Sequence, residues 1–228
     1  MLERDMFAEL IANHGIPQES QPVSILDAEA YRERVPEGMI DFWVKYGRGR
    51  YRNGYYWISN PASFAPVLAR IFKDDPEFHA EDMTLLTYTA FGYCTLWNKN
   101  GFTMLIDFER SEVSSQSSAR IDPESGKEFS PDFLVGSLLN IAFSDDTEWF
   151  EMACERLGRP GRGEIFSYAP LLQLGGMEDL DNLRRVEATV YMDMVAQLEP
   201  FTLIELTSPE PNAPMGRLRP VRRIGPQQ

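Results

Sequence analysis

Tyr93-Cys-Thr-Leu-Trp-Asn-Lys-Asn-Gly-Phe-Thr-Met-Leu-Ile-Asp-Phe108 is the stretch whose reading decides the fold. Phe102, Met104, Ile106 and Phe108 alternate with their neighbours, and a period of two places them on one face of a β-strand. Asn100-Gly101 joins that run to Tyr93–Trp97 and reads as a two-residue hairpin turn with both residues at positive φ. With Met83–Ala90 the three runs predict an antiparallel meander.

Upstream of the meander the apolar residues recur at helical spacing. A first helix is predicted over Arg4–Asn13, burying Phe7, Leu10 and Ile11 and stopped by Gly15. Asp27 is placed to cap a short helix ending before Val35. Pro36 suits the first position of the next, in which Met39, Ile40, Trp43 and Val44 recur until Gly47 closes it. Gly47–Gly54 reads as a turn-rich loop leading into a short strand at Tyr55–Ile58. Asn60-Pro61 opens a helix with Phe64, Leu68, Ile71 and Phe72 on one face, ended by Asp74-Asp75-Pro76.

Downstream comes a polar segment with Ser111, Ser114, Ser115, Ser117 and Ser118, then Asp122–Gly126. A domain boundary is expected between about Glu112 and Ser130. A helix over Pro131–Asn140 is apolar on nearly all sides, which predicts burial. Ser144 or Asp145 is placed to cap another helix, with Trp149, Phe150, Ala153 and Leu157 inward. Ile165–Leu174 is strand-like but broken at Pro170, and Leu183–Glu187 reads as a short strand. Val190, Met194, Val195 and Leu198 mark a last helix. The fold class expected is α+β, an antiparallel sheet with packed helices in two small domains, 1–115 and 128–207. Residues 208–228 are expected to form a flexible, arginine-containing tail.

Of the 228 residues, 22 are Lys or Arg and 35 are Asp or Glu, a formal charge of -13. The last 18 residues hold four arginines (217, 219, 222 and 223) and no acid. Residues 1–210 therefore carry 18 basic and 35 acidic side chains, a charge of -17. Such a body opposes general nucleic-acid binding, where a basic face must displace counterions from phosphate, and it suits a basic protein partner. The longest largely apolar run, 133–143, falls far short of the roughly 20 residues a membrane span needs. The opening Met-Leu-Glu-Arg-Asp-Met-Phe lacks the pattern of a signal peptide. Cys94 and Cys154 are expected as buried thiols in a reducing compartment, so the protein is expected in the cytoplasm.

Catalytic apparatus is scarce. His14 lies beside a helix stop, and His79 has no second His or Cys at ligand spacing. Gly47-x-Gly49 lacks the third glycine of a dinucleotide loop, and no Lys-Ser/Thr follows Gly161-x-Gly163. No catalytic residue, cofactor or metal site is expected. The carboxylates cluster at Asp74, Asp75, Glu77, Glu81 and Asp82, at Asp145, Asp146 and Glu148, and at Glu178, Asp179 and Asp181. Each cluster alone reads as helix caps and solvated surface; together they create a field that favours a cationic partner. Arg48, Arg50 and Arg52 with Tyr51, Tyr55, Tyr56 and Trp57 combine the residue types favoured as interface anchors. An equally weighted reading puts Trp57 and one tyrosine in the core and pairs the arginines with local acids. The candidate partner-binding residues are Arg48, Arg50, Tyr51, Arg52, Tyr55, Tyr56, Asp74, Asp75, Glu178, Asp179 and Asp181.

Two sets of motifs carry a family likeness. Val35-Pro-Glu-Gly-Met-Ile-Asp-Phe-Trp-Val-Lys-Tyr-Gly47, Gly54-Tyr-Tyr-Trp-Ile-Ser-Asn-Pro61, Thr89-Ala-Phe-Gly92 and Leu96-Trp97 resemble the GAD-like domain of bacteria. Tyr168-Ala-Pro-Leu-Leu-Gln-Leu-Gly-Gly176 and Asn182-Leu-Arg-Arg-Val186 resemble the C-terminal domain that accompanies it in type VI secretion immunity proteins. The likeness spans most of residues 5–205 and leaves the arginine tail outside. It implies an immunity protein that binds and neutralises a cognate secreted DNase toxin with a basic groove, with no enzyme site and no cofactor. The alternatives are a DNA-binding autoregulator, in which the tail gives weak binding, and a carboxylate-based hydrolase.

Overall fold

The computed structural model describes residues 4–122, 125–142, 148–206 and 218–226. The first half runs α1 (Met6–His14), β1 (Gln18–Gln21), α2 (Ile25–Glu29), α3 (Glu37–Tyr46), β2 (Arg48–Tyr51), β3 (Tyr56–Ile58), α4 (Pro61–Ile71), β4 (Met83–Thr89), β5 (Tyr93–Asn98), β6 (Phe102–Asp107) and β7 (Glu112–Ser115). There follow α5 (Pro131–Ala142), α6 (Glu148–Leu157), β8 (Glu164–Tyr168), β9 (Leu183–Glu187), α7 (Ala188–Leu198), β10 (Thr202–Leu206) and β11 (Leu218–Arg223). Nine strands form one sheet in the order β1-β2-β3-β4-β5-β6-β7-β10-β11, while β8 and β9 pair separately. All neighbours are antiparallel except β7 and β10. The α+β class is as the sequence predicts.

The meander is present, but its turn differs. Asn98 pairs with Phe102, so three residues form the loop, and among them only Gly101 has positive φ, at 95°. The Asn98 side chain accepts the Asn100 N–H at 2.8 Å, and the Asn98 carbonyl accepts the Gly101 N–H at 2.9 Å. Asn98 thus starts the turn one residue earlier than an Asn-Gly pair alone would, and the left-handed conformation falls on glycine.

Helices cover both faces of the sheet, which is why all seven residues of β4 are buried. On one face Leu85, Leu96, Met104, Ile106 and Phe108 meet Phe64 and Leu68 of α4 and Tyr191 and Val195 of α7. On the other, Leu86 and Trp97 meet Leu10, Met39 and Trp43 of α1 and α3, with Val135 and Leu139 of α5. The helix after the serine-rich segment therefore completes a core begun by the first helices. Only Val135, Gly136 and Leu139 of 131–140 are buried, so that helix is not enclosed on all sides.

Several other expectations change. Ser24, not Asp27, caps α2. Gly47–Gly54 is not a loop throughout: β2 lies inside the sheet, paired with β1, an element the polar sequence Gln18–Gln21 did not announce, and a short 3-10 turn at Arg52–Gly54 joins β2 to β3. Gly49 permits this approach, since a Cβ there would stand 2.5 Å from the Gln18 carbonyl oxygen. In α7 the inward stripe is Ala188, Tyr191, Met192 and Val195, while Val190 is 67% exposed. The expected caps Ser144 and Asp145 lie outside the described residues.

The expected flexible tail is corrected over 218–223, which form β11; residues 207–217 lie outside the described residues. The anchor is Arg222, whose guanidinium contacts Asp75 at 2.6 and 3.0 Å and Glu77 at 2.9 Å. The Asp75 side chain has no solvent exposure and also accepts the backbone N–H groups of Glu77, Phe78 and Gly225. Arg219 and Arg223 pair with Glu205 and Glu199 at 3.9 and 3.8 Å.

Candidate functional site: an aromatic and acidic cleft

The turn between β6 and β7 is built by its own side chains. Asp107 accepts the N–H groups of Glu109 and Arg110 at 2.9 and 3.1 Å, an Asx turn that ends β6 and reverses the chain toward β7. Gln173 donates to the carbonyls of Phe108 and Glu109 at 2.8 and 3.1 Å, tying the turn to the segment that follows β8. Arg110 bridges Asp107 at 3.1 Å and Glu178 at 2.8 Å.

Beside this turn lies a cleft of about 530 Å3, lined by the aromatic residues Tyr55, Phe91, Tyr93, Trp149 and Tyr168 and by Asp107, Glu109, Arg110 and Glu178. Trp149, expected to point inward from α6, is 39% exposed, and its indole N–H meets the Tyr168 hydroxyl at 3.3 Å. Phe150 takes the inward place, packing on Tyr55 with ring centroids 5.3 Å apart. Glu109 is 8% exposed, and its Oε1 has no hydrogen-bond partner. Burial, reinforced by the charges of Asp107 and Glu178, pushes its carboxyl up to about 8. At neutral pH it is mostly protonated. The cleft continues into a groove of about 810 Å3 along β6, β7 and β10, which shares Tyr93, Asp107 and Arg110 and adds Glu112, Ser114 and Glu205.

Of the candidates read from sequence, the cleft gathers Tyr55, Tyr56 and Glu178. Tyr51 and Tyr56 are core residues at 3% exposure. Arg48 lies over the Trp43 ring, 4.6 Å from its centroid, and donates to Asn60. Arg50 is paired with Glu19 at 2.6 Å. The pairing of arginines with local acids, one of the two readings of this stretch, describes Arg50 with Glu19 but not Arg48, whose partners are Asn60 and the Trp43 ring; Arg52 has an exposed side chain and φ 49°. Asp74 is exposed in a turn at φ 56°, Asp179 caps the N–H of Asp181, and Asp181 is ion-paired with Arg156. Asp75 is a buried anchor, which removes it from any contact surface. Sequence reasoning missed Glu109, Asp107, Phe91, Tyr93, Trp149 and Tyr168. A signal existed for two of them, an acidic pair flanking the last apolar residue of a strand. The rest are assembled only by tertiary packing.

Cys94 and Cys154 are free and buried. Burial raises both thiols, that of Cys154 to about 11. Among the described residues no three His, Cys, Asp or Glu side chains come together to hold a metal ion, and no helix is long and apolar enough to cross a membrane.

Residues 5–109 match the model of the GAD-like domain, and residues 129–199 match that of the C-terminal domain of the type VI secretion immunity protein Tdi1. The two matched regions follow one another along the chain, and the cleft takes residues from both. It is similar in structure to Atu4351 from Agrobacterium tumefaciens, with a TM-score of 0.81 and 26% identity over 97% of this chain and 99% of that one. No curated protein matches the sequence at a significant level.

Proposed function

We propose that this protein is an immunity protein that binds and neutralises a cognate nuclease toxin in the cytoplasm, without chemistry of its own. The observation that carries the reading is the match of residues 129–199 to the Tdi1 C-terminal domain, a family whose members imply a toxin partner. Charge supports the nuclease assignment. A DNase must present a basic groove to phosphate, and the acidic cleft and groove of this protein complement such a surface. The autoregulator reading loses support, because Arg219, Arg222 and Arg223 are engaged by acids within the fold.

Co-expression with the product of the adjacent reading frame tests the proposal. Survival of cells that the nuclease alone kills, together with co-purification of the two proteins, is the expected result. Survival without a complex would point to a different protective mechanism, and death despite soluble protein would overturn the proposal.

A further inference from the structure

We propose that the cleft between the two domains is the seat of one arginine side chain of the toxin, held between its aromatic walls and the carboxyl of Glu109. The inference rests on the immunity reading for the identity of the partner. The cleft itself stands on three separate observations.

The first is Glu109. Its side chain is nine-tenths buried, lines the cleft, and leaves Oε1 without a hydrogen-bond donor. A buried acceptor in that condition costs free energy and is satisfied when a partner brings a donor. The second is the state of the resident cation. Arg110 is already spent on Asp107 and Glu178, so it does not supply that donor. The third is the shape and lining of the space. At about 530 Å3 it has the size of a ligand site rather than a packing defect, and the aromatic side chains of Phe91, Tyr93, Trp149 and Tyr168 line it.

An aromatic lining that also holds acceptors favours a guanidinium over an ammonium. The flat, weakly hydrated guanidinium stacks on rings and keeps five donors in its plane for the carboxyl and hydroxyl oxygens. A nuclease groove that grips phosphate is a ready source of arginines. Anchors of this kind, enclosed and desolvated, supply most of the binding energy at protein interfaces.

Insertion of a cation has a chemical consequence. The groups facing Glu109 are Asp107, Glu178, Arg110, Tyr168 and Tyr191, and without a ligand they leave the carboxyl mostly protonated at pH 7, its value being about 8. A guanidinium alongside lowers that value, so binding at pH 7 expels the Glu109 proton to solvent. Affinity therefore rises with pH up to about 8 and then levels off.

The test uses the full chain with N-acetylarginine amide as probe, followed by Trp149 fluorescence and by calorimetry in buffers of different ionisation enthalpy. Saturable binding, release of close to one proton at pH 7, and a loss of about tenfold or more in Trp149→Ala are expected. Glu109→Gln should fold, bind more weakly and release no proton. N-acetyllysine amide should bind about tenfold more weakly than the arginine probe. No saturable binding, or equal proton release from wild type and Glu109→Gln, would overturn the site; equal affinity for the lysine probe would overturn the guanidinium assignment. The same variants are then measured against the co-expressed nuclease. A wild-type complex that both substitutions leave unchanged overturns the inference and leaves the immunity reading intact. Failure of wild type to form a complex overturns the immunity reading, while probe binding in that protein still supports an arginine site.

Discussion

Glu109 and Asp75 are both acids almost closed off from water, yet they act on the fold in opposite senses. Glu109 lacks a donor for Oε1, and its carboxyl is raised from 4.5 to about 8. Between those values the unfolded chain has released a proton that the folded chain retains. Stability consequently falls as pH rises through the window, by up to about 1.4 kcal/mol per pH unit. Replacing Glu109 by Gln removes the titrating group, so the variant should overtake wild type above pH 4.5 and hold its lead at pH 8. Denaturant unfolding at a series of pH values measures this, and parallel curves for the two proteins would refute it. The neighbouring tyrosines show how far residue type alone is from function. Tyr51 and Tyr56 are core, and Tyr55, one residue from Tyr56, is half-buried against Phe150 and reaches the cleft.

At the level of elements, the meander and six of the seven helices could be read because their apolar residues repeat with a local period. The short α2 could be placed only approximately, since the cap read for it, Asp27, lies inside the helix that Ser24 caps. Four strands, β1, β2, β10 and β11, could not be read as strands. β1 is polar throughout, and β11 carries its meaning in Arg222, whose partner Asp75 lies 147 positions away. The ion pair makes β11 part of the fold. Burial works against the charge on Asp75, but Arg222 and three backbone N–H groups outweigh it and hold the carboxyl at about 2, below its ordinary 3.8. A lowered value means that the stabilisation is complete above pH 3.8 and is lost as pH falls through 2. Asp75→Asn should cost about 3 kcal/mol at pH 7, because it leaves a largely buried guanidinium short of its counter-ion. The gap to wild type should close as unfolding is measured nearer pH 2. An arginine tail without a structural role would make the substitution neutral.

Over the whole molecule the governing quantity is charge. Residues 1–210 carry a formal -17, and Arg219, Arg222 and Arg223 are each paired with acids of that body, so the negative balance is only partly offset by the C-terminal arginines. Association with a basic toxin should slow about tenfold or more as salt is raised from about 0.05 to 0.5 M, while dissociation changes much less. Stopped-flow mixing resolves the two rates, and an association rate indifferent to salt would assign the acidity to solubility alone. The sequence by itself determined the α+β class, the position of most elements, the resemblance to a GAD-like domain and a type VI immunity C-terminal domain, and the acidic balance of the chain. Each of these depends on local periodicity, motif order or a sum over residues. Only the tertiary structure decided that 218–223 close the sheet, that α5 completes the first core, and that residues 55, 91, 93, 107, 109, 110, 149, 168 and 178 share one cleft. Those facts rest on contacts between positions far apart in the chain, for which side-chain spacing holds no record.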